Sequence, residues 1–129
     1  MIVVDASVAI DVLLRTPGAE AATERILNPD ESLHAPELID LEVAQVLRRL
    51  TSAGLAPARG LEAIELFAVF PLTRHPHTPL LRRIWQLREN ITAYDAAYVA
   101  LAEGLGATLL TRDLRLKRAL RTRVAVEVL

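Results

Sequence analysis

The sequence predicts an α/β fold with a mainly parallel sheet, on two observations. Short apolar runs alternate with stretches of helical period along all 129 residues, the pattern of successive βαβ units. Acidic residues stand where such a run ends, or on the apolar face of a helix, and in a parallel sheet the carboxyl ends of the strands share one edge. The length suits one domain spanning 1–129, with no internal repeat or linker, and 52% hydrophobic residues suffice for an ordinary core.

Residues 2–5, Ile-Val-Val-Asp, read as the first strand, an apolar run closed by a polar residue. A helix over 8–14 follows, and Pro17-Gly18 closes its turn. Residues 19–27 form a second helical stretch, stopped by Asn28-Pro29, and 32–35 a second strand. Pro36 then suits the first turn of a helix over 37–52, whose Ile39, Val43, Val46, Leu47 and Leu50 recur at helical spacing. Gly54 ends that helix, and 58–69 is its antiparallel partner. A third strand is expected over 70–73, a helix carrying Trp85 over 79–89, and a small-residue helix over 93–103 that ends at Gly104 and Gly106. A strand over 107–111, a helix over 114–121 and a strand over 124–128 complete the chain.

No apolar run approaches the roughly 18 residues of a membrane span, and Asp5 interrupts the first one, against a signal peptide. Cysteine is absent, which removes disulfides and thiolate metal sites and fits a reducing cytoplasm. The net charge of −1 hides an asymmetry: residues 1–66 sum to −6 and residues 67–129 to +5. A basic half beside an acidic centre suits a phosphate-bearing partner, although a solvated basic face is the blander explanation.

Four acids carry the functional reading: Asp5, Glu42, Asp95 and Asp113. Gathered at one edge they would repel one another unless a cation neutralised them. Oxygen-only donors suit Mg²⁺ or Mn²⁺, so a divalent-metal site is expected. Each acid also has a structural explanation. Asp5 and Asp113 suit N-caps, and Thr92-x-x-Asp95 fits a capping box. Glu42 lies along the apolar stripe between Leu38 and Val46, where a lone carboxylate is costly unless paired or bound to metal; reaching Arg49 is its alternative. Ser7 and Thr111 stand two residues from Asp5 and Asp113, placed to orient the acids or to cap helices. His75-Pro76-His77 lacks a matching ligand pair and reads as a loop, while Asp11, Glu37 and Asp40 read as surface acids.

Taken together, Ile2-Val3-Val4-Asp5-Ala6-Ser7-Val8, Ala35-Pro36-Glu37-Leu38 with Glu42-Val43-Ala44, Thr92-Ala93-Tyr94-Asp95-Ala96-Ala97-Tyr98 and Leu109-Leu110-Thr111-Arg112-Asp113 resemble a PIN-domain ribonuclease of the VapC toxin type. The resemblance runs in order over nearly the whole chain; residues 55–90 share only helical character with it. It implies a three-layer α/β/α sandwich around a five-stranded sheet ordered 3-2-1-4-5, a metal-dependent ribonuclease, and a small cognate antitoxin. It also implies metal ligation by Asp5 and Asp95, with Glu42 and Asp113 completing the pocket and RNA cut to leave a 5′-phosphate and a 3′-hydroxyl. Two rivals fit less well. An aspartyl phosphatase would want an acid two residues after Asp5, where Ser7 stands, and a phosphoacceptor domain would want a late lysine, where the chain has only Lys117 on a helix. A PIN-type module that binds without cutting would need a lost acid, and all four are present. A homodimer is also expected, through Leu55, Leu61, Leu66 and Phe67 of the helical pair; the same side chains packing inward against Trp85 would leave a monomer.

Overall fold

The computed structural model describes residues 1–120 and 123–129. Five strands, β1 (Ile2–Val4), β2 (Leu33–Pro36), β3 (Leu72–His75), β4 (Thr108–Thr111) and β5 (Val126–Val128), form one sheet in the order β3-β2-β1-β4-β5. Every neighbouring pair is parallel, with Ile2 opposite both Leu33 and Thr108. All carboxyl ends therefore open on the same edge.

Among the described residues seven α-helices connect them: α1 (Ala6–Leu14), α2 (Glu20–Ile26), α3 (Ile39–Ser52), α4 (Pro57–Ala68), α5 (Leu81–Gln86), α6 (Ala93–Leu105) and α7 (Leu114–Ala119). The chain steps outward from β1 to β2 to β3 and then returns to β4. Right-handed crossovers put the helices of those two legs on opposite faces of the sheet. Contacts agree: α1 packs with α2, α3 and α4, whereas α5 packs on α6, which lies against β1, β2 and β4. Covered on both faces, the central strand is wholly apolar, and Ile2, Val3 and Val4 are buried. Helix α6 is buried at every residue from Ala96 to Ala102, and its alanines let it lie close to the sheet. Gly106, in the left-handed conformation at φ 61°, closes it.

Several boundaries differ from the sequence reading, each for a local reason. The third strand starts at Leu72, not at residue 70, because Pro71 has no N–H to give to a ladder. It runs on to His75, so that histidine belongs to a strand rather than a loop. Pro36 ends β2 and does not open a helix; the Glu37 N–H continues the pairing by donating to the His75 carbonyl at 2.8 Å, and α3 begins at Ile39. The helix expected over 79–89 is a 3-10 turn, Thr78–Leu80, followed by the short α5. Helix α1 starts two residues early because the Asp5 side chain caps it. Helix α7 ends at Ala119, and the expected end at Arg121 lies outside the described residues.

Candidate active site

A helix that follows a strand in this topology starts at the carboxyl edge, and so does α6, which returns the chain towards β4. Asp5 is the N-cap of α1, Glu42 lies in the first turn of α3, Asp95 in the first turn of α6, and Asp113 is the N-cap of α7. Exposed N–H groups at helix starts favour carboxylates, so the local capping rule and the sheet topology deliver four acids to one edge together.

Hydrogen bonds hold this edge. Asp5 Oδ1 accepts from the Ser7 N–H at 2.8 Å, and Asp5 Oδ2 accepts from Thr111 Oγ1 at 2.6 Å. Thr111, fully buried at 0% exposure, also accepts the Asp113 N–H on the same oxygen at 3.0 Å. Ser7 Oγ accepts from the Arg112 N–H at 3.2 Å. The two hydroxyls thus stitch the β1–α1 turn to the β4–α7 turn, and Thr111 fixes the Asp5 carboxylate directly. Asp113 Oδ1 accepts from the N–H groups of Arg115 and Leu116 at 2.7 and 3.3 Å, and the residue is exposed at the outer rim. Thr92 Oγ1 accepts from the Asp95 N–H at 3.2 Å. The capping readings hold for Asp5 and Asp113, whereas at Asp95 the bond that forms is the Thr92 half of the expected capping box. A cap does not compete with a second role, because a carboxylate oxygen offers more than one lone pair.

The acids feel one another. Burial raises the pKa of Glu42, and the charges of Asp5 and Asp95 raise it further. Burial likewise raises that of Asp95, with Asp5 and then Asp113 adding to it. The Tyr98 phenol, itself pushed up by burial and by Glu42, is near enough to favour the Glu42 carboxylate. A well-formed hydrogen bond is nevertheless missing, and Glu42 Oε1 and Tyr98 Oη are both buried without a partner among the described residues. Glu42 does not reach Arg49; no ion pair joins them among the described residues. Among the described residues no three His, Asp or Glu side chains close in as a ligand set, so the expected pocket is not drawn together as tightly as a metal site requires.

The sequence reading missed two groups. Asp11 is not a plain surface acid: its Oδ1 accepts from Thr16 Oγ1 at 2.7 Å, and Arg112 Nε stands 2.9 Å from its Oδ2. That bridge anchors an arginine beside Asp113. Tyr98 was invisible as a neighbour of Glu42, although its place one turn after Asp95 on α6 hinted at it. Asp40 pairs with Arg74 at 2.7 Å. A larger hollow of about 650 Å³, beside Thr108 and Ala125, lies at the opposite edge of the sheet from the acids.

Comparisons with known proteins bear on the family and the fold. The PIN domain family model matches residues 2–121. Ribonuclease VapC9 of Mycobacterium tuberculosis is 47% identical over 117 residues, covering 90% of this chain and 88% of its own. Ribonuclease VapC12 of the same organism is 41% identical over 120 residues, covering 92% of each. The solved VapBC2 of Rickettsia felis, bound to a DNA fragment from its promoter, superposes with a TM-score of 0.73 over 99% of this chain and 98% of that one; at 14% identity it speaks for the fold alone.

Proposed function

The chain belongs to the PIN-domain family, and from that premise we propose that it is a VapC-type ribonuclease toxin that hydrolyses RNA phosphodiester bonds at the acid edge of the sheet. The observation that carries the reading is Glu42: a half-buried carboxylate on an apolar helix face, with Oε1 unpartnered and aligned in charge with Asp5 and Asp95. Such a group is expensive unless a cation completes it. Burial and the charge of Asp5 raise the proton affinity of both Glu42 and Asp95, and an acid set with no sulfur or imidazole in it fits Mg²⁺ or Mn²⁺.

Asp5 and Asp95 would hold that ion, with Glu42 and Asp113 closing the pocket. When bound, it would supply a nucleophile from water near neutral pH and offset the charge that develops on the scissile phosphate. The chain's own part is positioning. Thr111 and the Ser7 N–H fix both oxygens of Asp5, Thr92 steadies the turn that presents Asp95, and the start of α7 holds Asp113. Arg112, tethered by Asp11, leaves a cation at the rim for a neighbouring phosphate.

The relatives are named VapC ribonucleases, and on that support we assign the chain a cognate antitoxin as partner. Bare carboxylates suit an arginine or lysine side chain of such a partner. No helix among the described residues is long and apolar enough to cross a membrane. We place the activity in the cytoplasm, with RNA as its substrate, and take the working form to be a homodimer. The test is incubation of the purified protein with total RNA in Mg²⁺, Mn²⁺ or EDTA, followed by mapping of the ends. Metal-dependent cuts bearing 5′-phosphates are expected; cutting that is unchanged in EDTA would remove the metal assignment, and no cutting would remove the nuclease.

A further inference from the structure

Tyr94 stands one residue before Asp95, in the first turn of α6, and its side chain is 65% exposed. A single exposed ring is ordinary on a protein surface, but this one borders two hollows beside the acids. Hollows flank it on both sides. One, of about 450 Å³, is walled by Leu38 and Leu41, with Gln45 and Arg49 at its polar margin, and Glu42 lines it as well. The other, of about 190 Å³, lies towards His77, Leu81 and Ile84. Leu41, at 77% exposure, lines the same groove as Tyr94.

We propose that Tyr94 and the groove on its Glu42 side bind the base of one nucleotide adjoining the scissile phosphate, and so set sequence preference at that position. The inference rests on the ribonuclease reading and deepens it. Continuity selects the occupant. Glu42 lines both the groove and the acid site, and Asp95 follows Tyr94 directly, so a strand whose phosphate lies over the acids has its next base at the ring. The chemistry suits a base too. A flat π-face opposite leucine walls stacks any base, the Gln45 amide can read its edge, and Arg49 can meet the following phosphate. At about 450 Å³ the groove falls within the volume range of single small-ligand pockets.

The test uses the RNA that the wild-type protein cuts, remade as short single-stranded oligoribonucleotides, intact or with one abasic nucleotide at each position around the cut. Tyr94→Ala should raise KM about tenfold or more with kcat nearly unchanged, whereas Tyr94→Phe and Tyr94→Trp should stay close to wild type. One abasic position should cost the wild type a similar factor and cost Tyr94→Ala little, since base and ring then act as one contact. Equal KM for Tyr94→Ala, or losses that simply multiply, would overturn the proposal and leave the ribonuclease standing. If the wild type cuts no RNA, the ribonuclease reading falls and takes the groove with it. If Tyr94→Ala cuts normally but escapes silencing by the partner protein, the groove belongs to that protein and the base-binding role is lost.

Discussion

At Thr111 one hydroxyl serves two acids, donating to Asp5 and accepting from the backbone of Asp113. Thr111→Val keeps the shape and removes both bonds inside a fully buried site, so a loss of about 1–3 kcal/mol in stability is expected from thermal melts. Cleavage should fall roughly 10–100-fold, because an oriented carboxylate has lost its orienter; activity near wild type in a folded Thr111→Val protein would count against that role. Asp5→Asn and Asp95→Asn keep volume and remove a charge, and each should lower RNA cleavage roughly a hundredfold or more while the protein still folds. Either variant cutting near the wild-type rate would defeat the catalytic assignment. Glu42→Gln relieves a half-buried charge from the fields of Asp5 and Asp95. It should therefore raise the melting temperature of the metal-free protein by roughly 3 °C while cutting activity, and a lower melting temperature would contradict the repulsion argument.

Among the elements, the β2–β3 pair carries a pH response of its own. His34 Nδ1 and His75 Nε2 lie at hydrogen-bond distance, 2.9 Å apart, with Ser32 Oγ at 2.9 Å from His34 Nε2. Burial lowers the His34 pKa below its usual 6.5, and the proximity of His75 and the amino terminus adds to the shift. The unfolded chain then binds the proton more readily than the folded one. Stability from this pair is thus fully present above pH 6.5 and is lost as pH falls through the depressed folded value. Thermal melts should show a drop between pH 7.5 and pH 5.5 that His34→Gln diminishes; an identical drop in that variant would place its origin elsewhere. The helices contribute differently, through their starts. Four of them begin at one edge, and each presents an acid there.

For the whole molecule, the assembly prediction changes with the structure. Phe67 is only 4% exposed, beside Phe70 and with Arg74 over its ring, so it cannot join an outer patch. Nor do the helical residues pack against Trp85, which is 67% exposed with Arg88 stacked on it. What α4 leaves outside is Leu61, Ile64, Leu66 and, just past its end, Val69. If that face pairs two copies, light scattering of the protein without its partner should give twice 14.2 kDa, and Leu61→Arg should return it to one. A wild-type mass near one chain at all concentrations would rule the dimer out.

The sequence by itself determined the alternation of strands and helices and the helix-start positions of Asp5, Asp95 and Asp113, because both follow from rules a few residues long. Glu42 stands in a first turn only because α3 begins at Ile39 rather than at residue 37. Period and apolar runs mark β1, α1, α3 and β4, and a carboxylate at a helix start is a local preference that Asp5, Thr92 with Asp95, and Asp113 each satisfy. Local rules also misled. The apolar stretch at Phe70 looked like a strand until pairing with β2 put the ladder after Pro71, and Pro36 looked like a helix start until it closed β2. Only the tertiary structure decided which partners lie across the sheet. Thr111 meets Asp5 over 106 positions, His34 meets His75 over 41, and Arg112 meets Asp11. The Tyr98 phenol comes to stand beside Glu42 by the packing of α6 against α3's end of the sheet, which no periodicity in either segment records. Such pairs depend on strand order and helix rotation, and these are set by how the whole core packs rather than by any one segment.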